Sequence, residues 1–298
     1  MPSDFLDLLA EDVAGATDAT ATDRIRTVLF ECLFNGLSDQ RVSSLFTLLG
    51  FTGEFDCYAI AGYPARSSAR TRKAIEKIVS DFGGVGITAE HTLHASLAAG
   101  HGGSAHGTAV DKSVDKSAKL DKSANTVVVA LIRPIGAATP EVICNTIASE
   151  YSDARPLALG PQLNGADGAM RSIRTSLFCL QAAPALAAAV PQIPRPLRND
   201  DALPERAMIG DVDAREELVN VVYGSLASGG PQDPTLLTVS TFLKYGGSLE
   251  TAAKELNVHP NTIRYRLKRA AESTGWDATD PREAFVLSCA IALGRMAA

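Results

Sequence analysis

Apolar positions along this chain switch between two periods. From 22 to 49 they recur at helical spacing. Ile25, Val28, Leu29, Cys32 and Leu33 form one stripe, Val42, Leu45, Phe46 and Leu49 another, and Gly50 follows as a stop. Two short helices are predicted there. Compact apolar runs predict strands at 55–63 (FDCYAIAGY), 83–88 (GGVGIT), 125–134 (NTVVVALIRP) and 155–161 (RPLALGP). Helical spacing returns at 70–83, with Ile75, Ile78, Val79 and Phe82 on one side. It returns again at 139–151, where Pro140 suits the first helical position, and at 165–183. The order β-α-β-β-α-β-α predicts helices layered on a mixed sheet.

Two stretches break the pattern. Residues 95–124 are rich in Ala, Gly, Ser and His and repeat DKS three times. With almost no large apolar side chain they cannot bury enough surface to offset ordering entropy, which predicts a disordered insertion. PQIPRPLRNDD (191–201) has three prolines and no period, as a linker or extended connection would. A helix is predicted from about Asp213, where DARE (213–216) has the form of a capping box, and ASGGPQDP (227–234) ends it. The expected division is an N-terminal helical segment (1–48), an α/β domain (49–190), a linker and connecting helix (191–233) and an all-α domain (234–298). The fold class is α+β.

The last domain carries the chemistry. TLLTVSTFLKYG from Thr235 reads as a helix stopped by Gly246 and Gly247. SLETAAKELN (248–257) is a second, with Ser248 as N-cap. PNTIRYRLKRAAESTG (260–275) is a third, with Pro260 at its first position and Gly275 as its stop. DPRE (280–283) is another capping box, opening a last helix to about Met296. Helices two and three are about three residues apart, the length of a helix-turn-helix corner. Ala252, Ala253 and Leu256 should face Ile263 and Leu267. The outward side of the third helix then presents Thr262, Arg264, Tyr265, Arg266, Lys268 and Arg269. Residues 261–270 hold four positive charges and no negative one, on a chain of net charge −6. A recognition helix needs polar residues near its N-terminus for base edges and basic ones for phosphates. A merely solvated basic face is the plainer alternative. Tyr265 could equally pack on a neighbour, and His259 could cap the helix or touch a phosphate.

The residues 246–296 resemble the C-terminal domain of PucR/CdaR-type bacterial transcription regulators. The family's V-H-x-N-T-[VI]-R-Y-R-L core is matched by Val258, His259, Asn261, Thr262, Ile263, Arg264, Tyr265, Arg266 and Leu267. LPERAMIGDVDAREELVNVVYGSL (203–226) and TGWDATDPREAF look closest to an actinobacterial branch that regulates fatty-acid and mycolic-acid synthesis. The resemblance implies a sequence-specific DNA-binding regulator whose sites are His259, Asn261, Thr262, Arg264, Tyr265, Arg266, Lys268 and Arg269. Its partner would be double-stranded promoter DNA, and a long-chain acyl-CoA would be its effector. It also implies a degenerate GGDEF/cyclase-like domain upstream, which the β-α-β-β-α-β order fits. SANT (123–126) stands where an active cyclase carries GGDEF before its apolar strand, so no carboxylate is placed there for Mg²⁺ and phosphates. No enzyme, cofactor or catalytic residue is expected. The competing class, a nucleotide cyclase-like or phosphotransfer enzyme with a C-terminal protein-contact domain, needs the paired carboxylates and phosphate loop that are missing.

Composition adds a few bounds. Five widely spaced cysteines without a CxxC pair suit reduced thiols better than disulfides or zinc. His91, His94, His101 and His106 cluster at irregular spacing without a cysteine, so no metal site is expected. The acidic N-terminus lacks the order of a signal peptide, and the longest apolar stretch, 178–190, is shorter than the roughly 20 residues of a membrane span. A cytoplasmic protein is expected. The last helix is apolar nearly all round, and one helix-turn-helix contacts too little DNA for selective binding. A homodimer or dimer of dimers follows.

Overall fold

The computed structural model describes residues 18–93 and 125–297. The expected insertion at 95–124, with His101 and His106, lies outside them, as do His94 and residues 1–17. The protein is α+β and divides into two compact units. One takes the chain up to Gln181 together with Pro194–Asn199; the other takes Ala182–Ile193 and everything from Asp200.

The first unit begins with α1 (Asp18–Phe34) and α2 (Gln40–Leu48), followed by β1 (Asp56–Gly62), α3 (Ser68–Asp81), β2 (Val85–Thr92) and β3 (Thr126–Arg133). Next come α4 (Pro140–Ile147), β4 (Leu157–Leu159), β5 (Leu163–Asn164), α5 (Gly165–Ala189), whose last turns from Ala182 count with the other unit, and β6 (Leu197–Arg198). The sheet order is β2-β3-β1-β4-β6, with β5 paired to β1. Every neighbouring pair among β1 to β4 is antiparallel, and β6 alone runs parallel, beside β4. This is the split β-α-β arrangement.

β1 and β3 are central, and nearly every residue of both is buried. A strand covered on both faces reads as an unbroken apolar run, which is why TVVVALIR stands out so clearly. On one face Tyr58, Ile60, Val128, Ala130, Ile132, Leu157 and Leu159 pack with Ile75 and Val79 of α3 and Ile143, Cys144 and Ile147 of α4. On the strands' other side the Ala59 amide donates to Ser172 Oγ of α5 at 2.8 Å. Gly160 permits that approach, because a β-carbon there would overlap the Ser172 carbonyl.

Local differences from the sequence reading have simple causes. β2 runs on to Thr92, so His91 is a strand residue, 4.4 Å from the ring of Phe34. The Pro-rich 191–201 stretch contains β6, which pairs Leu197 with Ala158 and Arg198 with Leu159. α4 stops at Ile147 and a 3-10 turn, Ala148–Glu150, finishes the expected helix. α5 continues past Pro184 to Ala189.

The second unit is helical: α6 (Leu203–Met208), α7, α8 (Pro234–Lys244), α9 (Leu249–Glu255), α10 (Pro260–Thr274) and α11 (Pro281–Ala297). α7 opens as Val212–Glu216, widens into a π-helical Glu217–Tyr223 and closes with Gly224–Leu226. Its cap is Asp211, not Asp213: Gly210, at φ 102°, turns the chain early, and the Asp211 carboxylate accepts the Asp213 amide at 3.1 Å. Asp211 also takes Arg206 Nε at 2.8 Å and Nη2 at 2.6 Å, and both side chains are almost fully buried. Arg282 of α11 forks onto Glu205 with contacts of 2.6 and 2.7 Å. α11 lies against α7 at Gly294, where any β-carbon would run into the Tyr223 ring.

Candidate nucleic-acid interface

Three short helices build the face, and each is started by a side chain that its own sequence supplies. Asp233 caps α8, accepting the Thr235 amide at 2.7 Å and the Gly229 amide at 2.8 Å. Burial pushes its carboxyl up, but these amides outweigh that and hold it below the usual carboxylate range. Ser248 Oγ accepts the Thr251 amide and starts α9. Its end is a Schellman turn. The Val258 amide reaches Ala253 O, the Asn257 amide reaches Lys254 O, and Asn257 sits at φ 52°. Asn is one of the few side chains that tolerate this left-handed position. The expected helix over 248–257 runs through Asn257, whereas the structure ends it at Glu255; an Asn between two helical runs is the signal for this turn.

His259 is the cap of α10. Its Nδ1 accepts the Asn261 amide at 3.2 Å, and Pro260 occupies the first turn. Gly275, at φ 79°, ends the helix. Ile263, Leu267 and Ala270 enter a core shared with Leu236, Val239, Phe242, Ala252 and Ala253. The alanines of α9 let α10 come close, as their spacing suggested.

The opposite side of α10 is open. Asn261, Arg264, Tyr265, Lys268 and Arg269 are exposed, Tyr265 to 62%. Lys268 has Glu272 at 3.8 Å, an exposed pair worth little in water. Arg264 Nη1 donates to Asn261 Oδ1 at 2.7 Å. Two residues of the expected set stand apart from this group. Thr262 is half-buried. Arg266 is half-buried too, and its Nη1 turns back to Thr238 Oγ1 of α8 at 3.3 Å. The periodicity explains this: position 266 falls one residue from buried Leu267 and three from buried Ile263, at the margin of the buried stripe. His259 faces solvent with one ring nitrogen already used. Among the described residues no group of three or more His, Cys, Asp or Glu is arranged to hold a metal ion.

The profile of the PucR C-terminal helix-turn-helix domain matches residues 235–293, from α8 through most of α11. The purine catabolism regulatory protein of Bacillus subtilis is 32% identical over 95 residues, 32% of this chain and 18% of that one. A crystal structure titled regulator of polyketide synthase expression, from Bifidobacterium adolescentis, is 47% identical, covers 92% of this chain and 98% of its own, and superposes with a TM-score of 0.72. The chain belongs to the PucR-type regulators. An uncharacterised Mycobacterium tuberculosis protein is 38% identical over 157 residues, 52% of this chain and 36% of that one. This PucR-type chain thus spans little more than a third of the mycobacterial relative's length. No helix among the described residues is long and apolar enough to cross a membrane.

Proposed function

We propose that this PucR-type chain is a transcription regulator that binds double-stranded promoter DNA in a sequence-specific way through α10. The observation that carries this is the exposed set Asn261, Arg264, Tyr265, Lys268 and Arg269 on a helix whose other side is locked into the core. Arg264 lies one turn into the helix, where side chains reach base edges. Lys268 and Arg269 lie a turn further on, where they meet phosphates. Arg266 and His259 serve the interface from behind, the one tying α10 to α8 and the other fixing its first turn. Thr262 borders the contact.

The finer reading has three parts. The first unit is a cyclase-palm-like domain without cyclase chemistry, which the β-α-β-β-α-β order and the absence of a GGDEF sequence support. The target is fatty-acid or mycolic-acid synthesis, and the effector is a long-chain acyl-CoA. The resemblance to the actinobacterial branch supports this, and so does the role of the Bifidobacterium regulator in polyketide synthase expression, since polyketide synthases also work on acyl thioesters. The acting form is a homodimer or a dimer of dimers. Its support is the apolar groove between α6 and α11, lined by Ala207, Met208, Cys289, Ala292, Leu293 and Met296, with Met208 and Met296 more than half exposed.

Fluorescence anisotropy with duplexes from the region upstream of the chain's own gene tests the central statement, with and without a long-chain acyl-CoA. Replacing Lys268 or Arg269 by Ala should weaken binding to every duplex and reduce the slope of log K against log salt by about one unit. Equal affinity for upstream and scrambled duplexes would refute sequence-specific binding.

A further inference from the structure

The hydrogen bond between Asn261 and Arg264 says more about what α10 can read. A guanidinium carries only donors, so the Asn261 amide is forced to point Oδ1 at Arg264 Nη1, which it meets at 2.7 Å. The two residues are three apart on one helix face. Asn261 itself leaves a fixed backbone, because its own amide is held by His259 Nδ1 and Pro260 precedes it. Arg264 takes one of the two lone pairs of the Asn261 oxygen and turns that oxygen toward itself, away from the geometry in which a free Asn meets adenine through its donor and acceptor together. The exposed Arg264 guanidinium keeps its remaining N–H groups, and these are donors alone. The base edge that offers only acceptors in the major groove without an adjacent methyl is guanine, with N7 and O6. Adenine and cytosine each place a donor there.

We infer that Asn261 is a positioning residue that orients the Arg264 guanidinium, a donor-only group, as the reader of a guanine edge. This rests on the DNA-binding reading above. Its energetic logic is preorganisation: a long arginine already held in place loses less rotamer freedom on binding. Asn261 therefore acts on base choice through Arg264 and touches no base of its own.

The test uses the full chain and a duplex library of about 30 base pairs, long enough for two half-sites one or two turns apart. Enrichment with wild type, N261A, R264A and the double variant gives base preferences, and circular dichroism checks each fold. The position that loses its preference in R264A should be guanine in the wild-type selection. N261A should lower the guanine preference there about fivefold, change no other position and have no effect in the R264A background. In the free protein, N261A should also speed hydrogen exchange of the Arg264 side chain by NMR. An adenine preference lost in N261A, an undiminished effect of N261A in the R264A background, or an N261A selection identical to wild type would overturn the inference while leaving DNA binding intact. Failure of the wild-type chain to enrich any sequence would instead sink the DNA-binding reading, and this inference with it.

Discussion

The cores of the two units bury different ionisable groups. The sheet core holds thiols and phenols and keeps them neutral. Burial pushes the thiols of Cys57 and Cys144 up to about 12, and burial likewise raises the phenols of Tyr58 and Tyr151. In the helical unit charge is either locked in pairs, as at Arg206–Asp211, or left out in water, as on α10. Burial removes a group from chemistry at neutral pH, while exposure leaves it free to meet a charged partner. On that ground these four buried groups serve packing, and the α10 face serves contact.

Breaking the buried pair should give the largest effect. Asp211→Ala removes the cap of α7 and takes from the buried Arg206 guanidinium its carboxylate partner. Loss of one partner from a buried pair costs about 3–5 kcal/mol. Urea denaturation followed by circular dichroism should show that drop. Lys268→Ala, whose partner is exposed, should shift stability by less than about 0.5 kcal/mol. If the two variants were equally mild, Arg206 would not depend on Asp211.

Alkali should act next, and on the sheet unit. A thiol whose pKa is raised by folding stabilises the protein below its unfolded value and ceases to do so as pH rises through the folded one. For Cys57 and Cys144 that window runs from the ordinary 9.0 to about 12. Across it each thiol should remove at most about 1.4 kcal/mol per pH unit. Thermal melts at stepped alkaline pH should fall less steeply in Cys57→Ala and Cys144→Ala than in wild type. Identical slopes would mean that the thiols titrate in the folded state.

How much of this could be read from the sequence depends on the range of the interaction. Ser248, Pro260 and Gly275 act on backbone within four residues of themselves, and the helix-turn-helix could be placed to the residue from them. The exposed basic face followed from the same periodicity. What failed was non-local or turned on one glycine. β6 exists because Leu197 meets Ala158, and nothing within the proline-rich stretch announces that pairing. Arg266 stands at the margin of α10's buried stripe, and it is Thr238, 28 residues away, that draws it inward. The cap of α7 moved to Asp211 because Gly210 bends the chain before the motif-like Asp213 is reached.

The smallest expected effect sharpens the contrast at a single atom. The Tyr58 hydroxyl is buried among Ile and Val side chains with no hydrogen-bond partner among the described residues. The Thr238 hydroxyl in the helical unit is buried too, but donates to Pro234 O at 2.6 Å and accepts Arg266 at 3.3 Å. An unpaired buried hydroxyl carries its desolvation cost with nothing in return, whereas a paired one contributes about 1 kcal/mol. Removing each without changing shape should therefore have opposite signs. Tyr58→Phe should leave stability unchanged or raise it by about 1 kcal/mol, and Thr238→Val should lower it by about as much, since Arg266 and the Pro234 carbonyl both lose a partner. The melting temperatures of the two variants, measured side by side, decide the matter. A Tyr58→Phe variant less stable than wild type would show that this hydroxyl is held in solution, and the contrast between an unpaired buried hydroxyl and a paired one would not survive it.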